Sequence, residues 1–453
     1  MASFTHIDDL NRGNTFYRYD PVGRLLEAGN YYKKDIFAFD PASNLLDPQA
    51  PPGPNRHSPQ RMSDNVLRSY CGTQYRYDER GNLLQRTTDG KQGHFTWDLH
   101  NRLRRYEDDR LTVSFAYDAL GRRLYKKSHA KYRDRRQAGP LWNENQRRAL
   151  DEQLGCGFTW YVWEGDTLAF ECRDQERHGR STHYVFEPGT FVPVAQAVSN
   201  RVVELIPQPV YVFPYDIDKD PVWQHKPTPK PFDALAWYQC DHLGTPMELT
   251  GEDGEIAWRG TYKAWGLAEE TRSDKAKWAD IRNPLRFQGQ YWDVETRLHY
   301  NRYRYYDPQV GRFVGKDPIG YAGGLNLYIY ADSPINWLDP LGLAKSSTSG
   351  HSAHAKTGQL FHNDMNQYPY PPGYMRERRI GGVGRADAIN VDECSIIERK
   401  CTCSKRTIKR GEAQLLRYCN EMRNITGESH EGILDILDPT TGVRTIRTVI
   451  NKP

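Results

Sequence analysis

Along the first three quarters of the chain, apolar positions recur in short alternating runs. The runs FYRYDPVGRLL, FAFDPASNLL, YRYDERGNLL, FTWDLHNRL and FAYDALGRRL share one form: aromatic, any residue, aromatic, Asp, three residues, then Arg or Asn and Leu. Their aspartates are Asp20, Asp40, Asp78, Asp98 and Asp118, spaced by 20, 38, 20 and 20 residues, which leaves room for one degenerate copy between Asp40 and Asp78. Alternation puts the two aromatics on one face of a strand. An Asp followed three residues later by Gly, as at Gly23, Gly81 and Gly121, fits the first and last positions of a type I turn. Each unit is therefore predicted to be a β-hairpin that cannot bury its aromatic face alone and stacks on its neighbours. The periodic aspartates read as turn caps, because acid or metal chemistry does not need a twenty-residue period.

Two segments interrupt the pattern: AKYRDRRQAGPLWNENQRRALDEQLG, and the Pro-rich LIPQPVYVFPYDIDKDPVWQHKPTPKPFDAL. Both read as insertions on a β scaffold. Strand-like runs resume at FTWYVWEGDTLAFE and persist to about residue 315. The composition agrees: 29 Tyr, 11 Trp and 37 Gly with few aliphatic runs describe many short strands joined by tight turns. At 453 residues the chain is long enough for about two to four domains. No window approaches the roughly 18 apolar residues of a membrane span, and the start of the chain lacks a signal-peptide stretch, so the chain reads as soluble. Eight cysteines are too few for a disulfide scaffold. They are expected as thiols, and four of them lie beyond residue 390.

The tyrosine-aspartate repeats, the run YNRYRYYDPQVGRFVGKDPIG, the run GGLNLYIYADSPINWLDPLGLA and the abrupt change that follows resemble an Rhs (YD-repeat) protein over residues 1 to about 344. The resemblance implies a mainly β fold, a YD-repeat β-cocoon or shell over residues 1–343. It also implies an aspartyl autoprotease region at about 283–343 and a C-terminal toxin domain over 344–453. Shells of that family are longer than this one.

Asp317-Pro318-Ile319-Gly320 and Asp339-Pro340-Leu341-Gly342 repeat one four-residue form at a spacing of 22. Each alone is a Pro-Gly turn. As a pair ending in Leu343-Ala344 they match the family's self-cleavage site, which implies a cut between Leu343 and Ala344 with Asp317 and Asp339 as an aspartyl-protease-like pair. Two carboxylates held close cannot both ionise, so one remains an acid while the other activates water. Arg304 stands where the family's assisting arginine is expected; Arg302 is the near alternative, and a plain strand salt bridge is the other use of either.

After AKSSTSGHSAHAK the aromatic repeat vanishes, and the charge changes with it. The whole chain carries a formal charge of only +4, which excludes a basic protein throughout. Residues 344–453 hold 17 Lys+Arg against 12 Asp+Glu, close to +5, and the preceding residues sum to about -1. Phosphate binding uses such a basic balance. The order of elements predicted in the tail is a helix near TGQLFHNDMNQ, strands near YMRERRIGG, RADAINVD and CSIIERKC, a helix from about Gly411 to Asn424, and the hairpin GILDILDPTTGVRTIRTV. That helix places Leu415, Cys419 and Met422 on one face, with Gln414 and Tyr418 on another.

Asp387 precedes Glu398-Arg399-Lys400 by eleven residues. Alternation turns Glu398 and Lys400 to the same side of a strand, and a neighbouring strand can deliver Asp387 beside them. Two carboxylates and a backbone carbonyl suit a hard cation, and an ammonium beside them can orient the attacking water. The segments GRAD, IIERK and GEAQLLRY, in this order, resemble the restriction-endonuclease-like toxins of the PD-(D/E)xK superfamily, with Ala386 where the superfamily name has Pro. The resemblance implies a small α/β nuclease with Asp387 and Glu398 as ligands of Mg²⁺ or another divalent cation such as Mn²⁺. It also makes Lys400 the catalytic lysine and sets Gln414 beside the site. The acidic residue often found on the first helix is not assigned by the resemblance, with Asp364 and Glu377 as candidates. A zinc site from Cys394, Cys401, Cys403 and Cys419 lacks CxxC spacing, and His351, His354 and His362 leave open a metal-independent, RNase-like chemistry.

The combined resemblance implies an antibacterial effector: cytoplasmic in its producer, secreted by a type VI apparatus with a spike, adaptor or chaperone as partner, acting on DNA in the target cytoplasm, and neutralised by a cognate immunity protein. The alternatives are an RNase toxin and a non-catalytic carrier or interaction protein.

Overall fold

A computed structural model of the chain describes residues 5–9, 12–49, 62–174, 179–202, 210–211, 215–220, 222, 230–343 and 346–347. In the tail it describes the strands 375–380, 384–390, 395–401, 431–437 and 444–450, with residues 412–413, 415–416 and 419–420 between them. The chain divides into two compact units, Met1–Lys345 and Ser346–Pro453.

In the first unit, among the described residues, the first repeats form a four-stranded sheet over His6–Ile36 and the later ones a 15-stranded antiparallel meander, from Ser69–Tyr70 to Ala268–Arg272, in which every strand pairs with its neighbours in sequence. The periodic aspartate makes this possible. At Asp20, Asp78 and Asp118 the carbonyl accepts the amide three residues on, from Gly23, Gly81 and Gly121. The Asp118 carboxylate also takes the Arg122 amide at 2.8 Å and the Arg122 Nε at 2.7 Å; Asp98 does the same with Arg102. A β-bulge stands just before the aspartate in four of the units, at Arg18/Tyr19, Arg76/Tyr77, Thr96/Trp97 and Ala116/Tyr117. It turns the second aromatic back over the preceding repeat, so that Trp97 Nε1 donates to the Leu83 carbonyl and Tyr117 OH to that of Leu103. The aspartates are turn caps, as their period implies. The copy expected between Asp40 and Asp78 falls largely on residues outside those described.

One insertion forms α1, Pro140–Leu154, entered through Pro140 and closed by Gly155 in the left-handed region. The Pro-rich insertion lies mostly outside the described residues. Four further strands, β1 (Tyr291–Asp293), β2 (Leu298–Asn301), β3 (Arg304–Asp307) and β4 (Arg312–Phe313), pair in order as a small antiparallel sheet. Its tyrosines pack on the aromatics of the meander, Tyr305 against Trp97 and Phe115, and Tyr300 against Trp163. Buried ion pairs tie the two sheets: Arg123 to Asp293 at 2.5 Å, Lys126 to Glu295 at 2.9 Å and Arg86 to Asp307 at 3.2 Å.

In the second unit β5 (Met375–Ile380), β6 (Gly384–Asn390), β7 (Ser395–Cys401), β8 (Glu431–Leu437) and β9 (Arg444–Ile450) form one sheet in chain order. All neighbours are antiparallel except β7 and β8, which run parallel. A parallel pair needs a crossover, and helical residues between Glu412 and Asn420 lie within it. Leu415 and Cys419 of that stretch are fully buried and Leu416 is exposed, so one face of the helix is core. Among the described residues no helix is long and apolar enough to cross a membrane.

Candidate functional site

Asp317 and Asp339 each open a turn. Asp317 accepts the Ile319 amide on Oδ1 at 3.1 Å and the Gly320 amide on its carbonyl at 3.0 Å. Asp339 accepts the Gly342 amide on its carbonyl at 3.3 Å and, on Oδ1, the amide of Leu343 at 2.9 Å. The bland reading of both motifs as Pro-Gly turns is therefore right about the backbone, but the side chains converge.

Arg304, the first residue of β3, joins them. Its Nη2 stands 3.1 Å from Asp317 Oδ2 and 3.1 Å from Asp339 Oδ2. Nη1 donates to the Leu327 carbonyl at 3.2 Å, Nε donates to the Gly342 carbonyl, and the guanidinium lies 3.6 Å over the centre of the Phe313 ring. All three ionic side chains are almost wholly buried. Burial raises the Asp317 carboxyl above its ordinary range; the Arg304 charge opposes this and the Asp339 charge adds to it. Burial also lowers the pKa of Arg304, against the pull of both carboxylates. Arg302, the other arginine expected near the pair, instead donates to Asp166 at 2.7 Å and to the Leu120 carbonyl at 3.0 Å, the ordinary strand salt bridge.

Leu343 is half-buried beside this group, and Ala344 lies outside the described residues. Gly323 marks how tightly the Leu343 carbonyl is held. A β-carbon there would overlap Asp317 Oδ2 and stand 2.8 Å from the Leu343 oxygen, so the carboxylate and the carbonyl flank one space that only glycine leaves open. Behind the segment, Asn301 Nδ2 donates to the carbonyls of Asp339 and Pro340, each at 2.9 Å, and the Tyr303 amide donates to Leu341. Sequence reasoning singled out Asp317, Asp339 and Arg304, which the fold brings together. It missed Asn301 and Gly323, whose only signals are their places at the head of NRYR and in the pair Gly323-Gly324.

In the tail, β6 and β7 pair with Ala388 opposite Ile397 and Ile389 opposite Ile396. Asp387 and Glu398 are the next residues of their strands, just past the last of these pairs. Lys400 follows two residues later on β7, and Glu398 and Lys400 pair with Leu434 and Ile436 of the parallel strand β8. Gln414, Tyr418, Asp364, Cys394, Cys403 and the histidines His351, His354 and His362 lie outside the described residues; Glu377 is on β5 and not on a helix. Cys401 ends β7 and Cys419 is buried in the crossover helix.

Residues 4–135 match the Teneurin YD-shell family, 235–271 the RHS protein family and 350–437 the Restriction endonuclease fold toxin 9 family. Fold and matches together define a YD-shell protein that carries a restriction-endonuclease-fold toxin domain. Double-stranded DNA deaminase toxin A of Burkholderia cenocepacia is 38% identical over 76% of this chain and 22% of its own length. Toxin protein Tse5 of Pseudomonas aeruginosa is 34% identical over 72% of this chain and 23% of its own. The probable deoxyribonuclease RhsA of Dickeya dadantii is 29% identical over 63% of this chain and 16% of its own. The chain belongs to the Rhs family of toxin proteins, and it spans less than a quarter of the length of these relatives.

Proposed function

We propose that this chain is an antibacterial Rhs effector whose shell cuts the chain between Leu343 and Ala344, and whose tail then hydrolyses phosphodiester bonds in DNA. The observation that supports the cut is Arg304 Nη2 held between two buried carboxylates, one of which accepts from the Leu343 amide while the other flanks the Leu343 carbonyl.

The roles follow from the geometry. Asp317, whose carboxyl burial keeps protonated to higher pH, is the acid that donates to the Leu343 carbonyl oxygen. Asp339 takes a proton from water as its hydroxide adds to the Leu343 carbon. The carbon–nitrogen bond then breaks, the proton passes to the Ala344 nitrogen, and a carboxylate remains on Leu343. Arg304 holds both acids and the Gly342 carbonyl in place.

For the tail, the support is the restriction-endonuclease-fold match together with the antiparallel pairing of β6 and β7, the neighbouring strands that carry Asp387 and Glu398. Their carboxylates, with the Arg399 carbonyl, are the hard oxygen donors that Mg²⁺ or Mn²⁺ takes, so these residues fit a divalent cation. Bound there, the cation would act as a Lewis acid for phosphate and for water. Lys400 would orient the attacking water, Gln414 would flank the site, and the basic tail would draw in the polyanion. Family membership supports delivery by a type VI apparatus through a spike or adaptor, and a cognate immunity protein in the producer.

Incubating the purified protein with plasmid DNA, with Mg²⁺ or with a chelator, tests the nuclease. Metal-dependent degradation that disappears in Glu398→Ala and in Lys400→Ala is expected. Intact DNA with degraded RNA would make it an RNase toxin, and neither would make the tail a binding module.

A further inference from the structure

Behind the segment that carries Asp339 runs a line of three buried polar side chains whose protons have only one arrangement. The carbonyls of Asp339 and Pro340 can only accept, and Asn301 Nδ2 reaches both at 2.9 Å, so the amide nitrogen of Asn301 faces the segment. Its Oδ1 therefore points the other way and takes a hydrogen bond from Gln290 Nε2 at 3.0 Å. Gln290 Oε1 is then left facing His299 Nδ1 at 2.7 Å, which places the ring proton on Nδ1. Burial, with the Arg286 charge nearby, holds the His299 imidazole well below its ordinary pKa, so the ring is neutral. All three side chains are 2% exposed or less. Water therefore offers no substitute partner; turning the Asn301 amide would set its Oδ1 against two carbonyl oxygens, and turning the Gln290 amide would set its Oε1 against Asn301 Oδ1.

The end of this line bears on chemistry because Asp339 is held at both ends. Its carbonyl is fixed by Asn301, and its carboxylate meets Arg304 and the Leu343 amide. A rotation of the carbonyl swings the carboxylate, and a displacement of about 1 Å at a reacting group costs about a hundredfold in rate. The backbone is shaped to bring Gln290 here: the preceding Gly289 is at φ +78, and a β-carbon on it would overlap the Pro340 carbonyl oxygen.

We propose that Gln290 and His299 are positioning residues for self-cleavage, acting through Asn301 to fix the amide orientation that holds Asp339 in place. Neither touches the reacting atoms. The inference rests on the self-cleavage reading above. It goes beyond it by making cleavage depend on the direction of a hydrogen-bond line and not only on the acids and their arginine.

Gln290→Glu reads that direction. A glutamate can accept from His299 as glutamine does, but only its protonated form can donate to Asn301 Oδ1. Wild type, Gln290→Glu and Gln290→Met are synthesised in a cell-free system at mildly basic pH and chased at several lower pH values, with the cut fraction followed on a denaturing gel. The expected result is that cleavage of Gln290→Glu relative to wild type rises as pH falls, on the order of tenfold per pH unit while the glutamate is mostly ionised. Taking the ratio to wild type removes the titration of Asp317. Gln290→Met, which buries no charge and keeps the test available if the glutamate variant does not fold, is expected to stay uncut at every pH while melting as one folded unit. A ratio for Gln290→Glu that does not change with pH, or a Gln290→Met cut as fast as wild type, overturns the inference. A wild type that stays as uncut as Asp339→Asn removes the self-cleavage reading itself.

Discussion

The backbone amide of Leu343 donates to the carboxylate of Asp339, four residues earlier in the same turn, at 2.9 Å. The residue proposed to activate the attacking water thus belongs to the turn that leads into the proposed cut, while its partner Asp317 comes from the earlier turn at 317–320. Replacing either acid with asparagine keeps the shape of the turn and removes the acid chemistry, so Asp317→Asn and Asp339→Asn are each expected to leave a single uncut polypeptide on a denaturing gel. Cleavage at the wild-type level in both would remove the proposed pair.

Gly323 gives a separate test that leaves every charged group in place. Gly323→Ala puts a methyl group against the Asp317 carboxylate and the Leu343 carbonyl, and a displacement of about 1 Å there should slow cleavage about a hundredfold. The residue stands in a surface turn, so the melting temperature should change little. A variant cut at the normal rate would mean that the carbonyl does not use this space.

Cleavage should also depend on pH in one direction. The folded-state pKa of Asp317 is raised, so its proton is retained above the ordinary carboxylate range and lost as pH climbs through the raised value. The acid step is available below that value and is lost above it, with a midpoint higher than a free aspartate would give. The time course of cleavage in cell-free synthesis, buffered from mildly acidic to mildly basic, checks the sign; a rate that increases with pH would exclude Asp317 as the donor.

The repeat aspartates should behave as structure alone. Asp98→Ala removes acceptors for the amides of His100 and Arg102 and for Arg102 Nε, and is expected to cost about 1–2 kcal/mol in chemical denaturation while cleavage proceeds normally. Asp293→Asn is a harsher case. It leaves Arg123, buried among Tyr161, Tyr291 and Tyr300, without its carboxylate, and should cost about 3–5 kcal/mol.

How much of this was readable in the chain depended on whether a feature is local. The turn at Asp118 is written in five consecutive residues, and the repeat states it several times, so hairpins and stacking followed from pattern alone. Asp317 and Asp339 were legible as turns for the same reason; their meeting over Arg304 is not local and came from resemblance to a family. Asn301, Gln290 and His299 were not legible, because their line depends on how the loop before β1 folds against the end of β2, and no spacing encodes that. The helix α1 was read only as an interruption. Its buried side chain is Asn143, which holds Tyr132 and the backbone of Arg135, while Leu141 and Trp142 stay exposed. A helix anchored by an amide has no apolar stripe to find. In the tail, the strand order followed from alternation, but the parallel pairing of β7 with β8 could not, since alternation does not distinguish the direction of a neighbour.

The carbonyl of Leu341 accepts from the Tyr303 amide, and those of Asp339 and Pro340 from Asn301, so the segment ahead of the scissile bond is stitched to the same β2–β3 turn that supplies Arg304. A cut after Leu343 breaks none of these bonds. In the proposed reaction the product would keep the seat of the substrate. A catalyst that works in this way has no turnover number. Each molecule would carry one event, like a fuse, and regulation could act only on whether that event has happened and never on how often.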